Sequence, residues 1–138
     1  MGAWSAETFG NDRAGDWACE LAEADDLTFV EQTLDEVLAN GAAYLDSDAA
    51  CAGLAACEVL ARLKGQWGKR DADSRNVDDW VESHLQIVPK RLIAKAIEVI
   101  DRITREPSEL LELWAESEKS RSCAWPDVVA DLRMRVIA

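Results

Sequence analysis

Ala49-Ala50-Cys51-Ala52-Gly53-Leu54-Ala55-Ala56-Cys57 is a run of nine residues with no polar side chain apart from two thiols. A helix that is apolar on every side has no face to offer water, so it must be enclosed by other helices. Small side chains let those neighbours approach its backbone closely, which predicts a central helix. Gly53 lowers its intrinsic propensity by about 1 kcal/mol relative to alanine, a loss that packing has to offset. Asp46-Ser47-Asp48, just before the run, supplies oxygens for the first N–H groups of that helix.

Outward from this segment, nearly every stretch repeats apolar residues at helical spacing, and none alternates strictly over a strand length. Ala14, Trp17, Ala18 and Leu21 share one side of a first helix that starts near Asn11 or Asp12. Phe29, Val30, Leu34, Val37 and Leu38 mark a second, with Thr28 and Glu31 at capping-box spacing and Asn40-Gly41 as a stop. Gly65 to Asn76 is polar and predicts a loop. Trp80, Val81, His84 and Leu85 then form the inward side of a short helix, broken by Val88-Pro89. The next helix carries Leu92, Ile93, Ala96, Ile97, Ile100 and Ile103, with Glu98/Arg102 and Asp101/Arg105 spaced to pair on its far side. Pro107-Ser108 opens a helix burying Leu110, Leu111 and Trp114. A last helix from about Trp125-Pro126 buries Val128, Val129, Leu132 and Val136, with Arg133 and Arg135 near its negative end. The expectation is an all-α, single-domain bundle of six or seven helices spanning residues 1–138.

Charge narrows the function classes. The formal net charge is −12, from 27 acidic and 15 basic residues. Residues 1–50 hold twelve of the acids and a single base, Arg13, so the negative field belongs to the first third of the chain. Nucleic acid and anionic membrane surfaces need clustered lysine and arginine, and neither is an expected partner; a basic protein is. No apolar run reaches the length of a membrane span and the first residues carry no secretory pattern, so the expected setting is cytoplasmic. Cys19, Cys51, Cys57 and Cys123 form no C-x-x-C pair, and one histidine cannot complete a Cys/His zinc set. Reduced, mostly buried thiols are expected, with no metal and no cofactor.

Candidate sites are few. Asp12, Asp16 and Glu20 recur every four residues, and Glu23 falls between them in angle, within about 80° on the side opposite Trp17 and Leu21. No base lies at i+4 to relieve them, so each like-charge pair weakens the helix slightly. They form either a solvated face or a carboxylate ridge for a basic protein partner or a hard cation, the last disfavoured because one helix face spreads its oxygens along the axis. Trp67, in the polar loop, is either a core plug or an exposed anchor. His84 is the single histidine, either a general base beside Asp78 or Asp79 or a histidine bonded to a backbone carbonyl. Phosphate-binding glycine loops and the G-x-S-x-G elbow are absent.

The opening Met1-Gly2-Ala3-Trp4-Ser5-Ala6-Glu7-Thr8-Phe9-Gly10-Asn11-Asp12-Arg13-Ala14-Gly15-Asp16-Trp17 resembles a family of short bacterial proteins known only as a domain of unknown function. That family begins M-G-x-W-G-x-x-x-F-x-N-D-x-A-x-D-[WF]; this chain departs from it at Ser5. Ser108 to Trp114, and Trp125 followed by Asp131-Leu132-Arg133, are similar to its C-terminal half. The resemblance implies a bacterial α-helical domain and supplies no activity. Within the motif, Trp4, Phe9, Asn11 and Trp17 are expected to have structural roles: Trp4 and Phe9 can fold back on the bundle, Asn11-Asp12 can cap the helix and Trp17 is expected in the core. Asp12 and Asp16 have no packing role.

Three functions are compatible with these features. The first is a non-catalytic protein-binding module using the acidic N-terminal face, for instance an immunity- or antitoxin-type inhibitor of a basic partner. The second is a structural or self-associating module. The third is a small hydrolase-type enzyme using His84 and carboxylates.

Overall fold

The computed structural model describes residues 8–9, 12–68, 70–118 and 125–138, the side chains of 116–118 excepted. Trp4 and Asn11 lie outside the described residues, as does Cys123. Among the described residues the chain is all-α: α1 (Asp12–Leu21), α2 (Thr28–Ala39), α3 (Ser47–Leu63), α4 (Arg75–Ser83), α5 (Lys90–Ile103), α6 (Glu109–Glu118) and α7 (Trp125–Ile137).

Helix α3 is the axis, touching each of the other six. It is buried from Ala50 to Arg62, as an all-apolar surface requires. Asp46 caps it, its carboxylate accepting the Ala49 N–H at 2.8 Å. At Gly53 a Cβ would meet Val37 at 3.0 Å and Val99 at 3.1 Å, so α2 and α5 pack onto backbone there. Around this axis, α1 contributes Ala14, Trp17, Ala18 and Leu21, α2 contributes Val30, Leu34 and Val37, and α7 contributes Val129, Leu132 and Val136. The Trp17 indole stacks on Phe29 at 5.2 Å and donates to Thr33 Oγ1 at 2.8 Å, so its polar edge is satisfied in the core.

Several local expectations are corrected. Thr28 does not cap α2; its own N–H is taken by the Asp26 carboxylate at 2.9 Å, and Glu31 turns to α5 instead of closing a capping box. The stop at Asn40-Gly41 holds, with Gly41 at φ +60°. Arg102 does not pair with Glu98. It is buried and donates to the carbonyls of Gly41, Ala43, Arg105 and Pro107 at 2.6–3.0 Å, pinning the α2–α3 and α5–α6 connections together. There Leu45 N–H also donates to Pro107 at 3.1 Å and Glu109 N–H to Leu45 at 2.8 Å. Asp101 binds Arg133 of α7 at 2.9 Å rather than Arg105, because an inter-helix partner of better geometry is available. Helix α4 ends at Ser83, so Leu85 does not join the core and is exposed. Cys51 and Cys57 are buried free thiols, whereas Cys19 is exposed. Burial pushes the Cys51 thiol up to about 12, which keeps it protonated and unreactive near neutrality.

Candidate functional site

Helix α1 positions the acidic row by burying its other side. With Ala14, Trp17, Ala18 and Leu21 fixed in the core, the helical period leaves Asp12, Asp16 and Glu20 in water, followed by exposed Glu23 in the turn after Leu21. The base missing at i+4 is supplied from two turns away: Arg13 approaches Glu20 at 3.5 Å, between a partly exposed and an exposed side chain. That is an ion pair of small energetic consequence. No side chain among the described residues pairs with Asp12, Asp16 or Glu23. The row is spread along a helix axis, and among the described residues no group of three or more His, Cys, Asp or Glu converges as metal ligands would.

Glu31 on α2, by contrast, is tied to α5. Glu31 receives Arg91 through both carboxylate oxygens, at 3.1 and 3.3 Å, and Lys95 at 2.7 Å. Hydrogen bonds from Arg91 and then Lys95 hold its carboxyl at about 2, against an ordinary 4.5. The folded-state value lies below the unfolded one, so the contribution of Glu31 to stability is present above about 4.5 and is lost as pH falls through about 2. Replacing Arg91 and Lys95 together by glutamine is expected to return Glu31 to the ordinary glutamate range, read by carbon-detected NMR titration of its carboxyl. A wild-type Glu31 titrating near 4.5 would contradict the pairing.

His84 sits at the end of α4, its ring stacked on Trp80 at 4.3 Å, with Nδ1 donating to the Trp80 carbonyl oxygen at 2.8 Å. Asp78 is committed elsewhere: buried, it accepts from Arg62 and from Ser74 Oγ at 2.8 Å, and it forms an ion pair with Arg70 at 3.5 Å. It is therefore not an orienting partner for the imidazole. A largely apolar cavity of about 290 Å³ lies between α5, α6 and α7, and a second of about 270 Å³ lies beside Arg102; His84 lines neither.

Trp67 is half-buried against the core, with the guanidinium groups of Arg70 at 4.1 Å and Arg62 at 5.6 Å over its ring. Arg62 also lies over the ring of buried Phe9 at 5.5 Å, tying the N-terminal motif to the same place. These contacts belong to a chain of alternating charges that the sequence reading missed. Asp131 binds Arg135 at 2.7 Å; Arg135 binds Glu58 at 2.7 Å; Glu58 binds Arg62 at 3.0 Å; Arg62 binds Asp78; and Asp78 leads through Arg70 to Glu82. Arg135 also donates to the Gln66 carbonyl at 3.3 Å, and the Gly68 backbone lies against its guanidinium, where a Cβ would come within 2.9 Å. The signal in the sequence is Glu58 and Arg62 at i, i+4. On an ordinary helix such a pair faces water, but an apolar helix at the centre of a bundle has no watery face, so this pair is enclosed.

Among the described residues no helix is long and apolar enough to cross a membrane. No curated protein and no solved structure matches the chain. A family model does, over residues 2–125, which takes in α1 to α6, the acidic row and the core of the buried charge chain. With that span matched, the chain belongs to the family described as Domain of unknown function (DUF4259).

Proposed function

We propose that this is a non-catalytic protein-binding module of the bacterial cytoplasm, whose acidic α1 face engages a cationic protein; inhibition of a basic toxin, as by an immunity or antitoxin protein, is its most concrete form. The observation that carries the reading is the exposure of Asp12, Asp16 and Glu23, on α1 and the turn after it, in no ion pair among the described residues, while the other side of that helix is firmly packed. The fate of the basic residues supports it. Arg62, Arg70, Arg91, Lys95, Arg133 and Arg135 bind carboxylates, and Lys64 and Arg102 bind backbone carbonyls. These bases are held within the chain, while the acids of the α1 face stay turned outward, where a negative field steers and selects a cationic surface. His84, stacked on Trp80 and without a carboxylate partner among the described residues, gives the hydrolase reading no comparable support.

The test is retention of bacterial lysate proteins by the immobilised chain at low and high salt, beside the Asp16→Lys/Glu20→Lys variant. Screening shortens from about 10 Å at about 0.1 M salt to about 3 Å at about 1 M, so a partner held by this face elutes across that range. The variant is expected to retain it at a small fraction of the wild-type level. A partner indifferent to both salt and the double substitution would rule the reading out.

A further inference from the structure

We propose that the end of the bundle carrying the α1–α2 turn and the α4–α5 connection is where the cationic partner anchors, and that it accepts an amphipathic segment bearing both lysine or arginine and large apolar side chains. The inference rests on the acidic-face reading and adds a location and a chemistry to it.

Two different features meet at this end. The acidic row continues past Leu21 into Glu23, Asp25 and Asp26, all exposed. The hydrogen bond from Thr28 N–H fixes the Asp26 carboxylate and holds it below its ordinary range, so it stays charged. Across from this turn, the Trp80 indole N–H donates to the Ala24 carbonyl at 2.9 Å, clamping the last turn of α4 onto it. His84 stacks on Trp80, α4 stops, and the chain runs irregularly to Pro89 before α5 begins. In that connection Val88 packs on the core, while Leu85 is 70% and Ile87 93% exposed.

Single exposed aliphatic residues are ordinary. Two within three positions, on a segment held by a stacked histidine and a packed valine, are a preformed apolar anchor of the kind that forms the desolvated centre of an interface. Charge decides the occupant. Lys90 adds one exposed cation at this end, and Arg91 is bound to Glu31, against Glu23, Asp25 and Asp26 in the turn. A second copy of a chain with net charge −12 would bring like charges together, and an anionic lipid surface would be repelled. An apolar segment flanked by cations satisfies both features at once.

The experiment titrates the full chain, by amide NMR, with three short synthetic helical peptides: leucine/lysine, serine/lysine and leucine/glutamate. The leucine/lysine peptide is expected to shift the amides of residues 23–26 and 84–88 most strongly, and the leucine/glutamate peptide to shift none. Leu85→Ser/Ile87→Ser, at exposed positions, is expected to weaken the leucine/lysine peptide about tenfold and to leave serine/lysine binding unchanged. Equal leucine/lysine affinity in that variant, or equal binding of the leucine/glutamate peptide, would overturn the proposal. Shifts confined to residues 12–20 would overturn the anchoring site and leave the acidic-face reading standing. No binding of either lysine peptide would overturn both.

Discussion

Arg62→Met is expected to cost about 3–5 kcal/mol of folding stability, a large part of the ~5–15 kcal/mol that holds an ordinary domain together. The guanidinium is 2% exposed and stands between two carboxylates that are themselves buried, Glu58 at 3% and Asp78 at 5%. Its removal leaves Asp78 with the Ser74 hydroxyl and the more distant, half-exposed Arg70, and leaves Glu58 with Arg135 among the described residues. Methionine fills much of the arginine volume, so the loss is electrostatic rather than a cavity. The supports of Phe9 and Trp67 go as well, because both rings pack beneath that guanidinium. Urea denaturation should show a lowered midpoint with an unchanged slope. In the Arg62→Met/Asp78→Asn double variant the two losses should fall short of additivity by about 0.5–3 kcal/mol, since both variants break the same pair. A loss below about 1 kcal/mol for Arg62→Met would mean that the alternating charges are not coupled through the core.

The second large effect concerns the central helix. Gly53→Leu is expected to destabilise by about 3 kcal/mol, at the upper end of the usual overpacking range. A Cβ alone would lie 3.0 Å from Val37 Cγ2, 3.1 Å from Val99 Cγ1 and 3.4 Å from Ile103 Cδ1. Two of these neighbours are valines on helices, locked at χ1, so neither side chain can swing aside and α2 or α5 must shift. Gly53→Ala tests the same point more finely. The gain of about 1 kcal/mol in helix propensity is set against two contacts that have no room to relax, and a net loss is expected. Gly15→Ala is the control, because nothing lies within 4 Å of the added methyl group on α1. It should stabilise by about 0.5–1 kcal/mol. If Gly53→Ala stabilised to the same degree, the helices would not be in close contact at that crossing.

Local residue patterns are enough to specify the helices and the layout of the core. Periodicity over a dozen residues fixes which side of α1, α2, α5 and α7 is buried, and the nine residues from Ala49 identify the axis, because a surface with no polar side has one stable place. It also placed Asp12, Asp16, Glu20 and Glu23 in water, since burying Trp17 and Leu21 leaves them nowhere else to go. Tertiary structure decided the partners. Glu31 serves Arg91 and Lys95 on α5 instead of its own helix terminus, Asp101 takes Arg133 on α7, and Arg102 holds four carbonyls from two connections. A long charged side chain reaches several ångströms, and its best partner is set by which helices cross, a quantity that no local spacing contains. The same is true of Leu85: the point at which α4 stops, one residue before the His84–Trp80 stack closes over its end, turns an expected core residue into an exposed one.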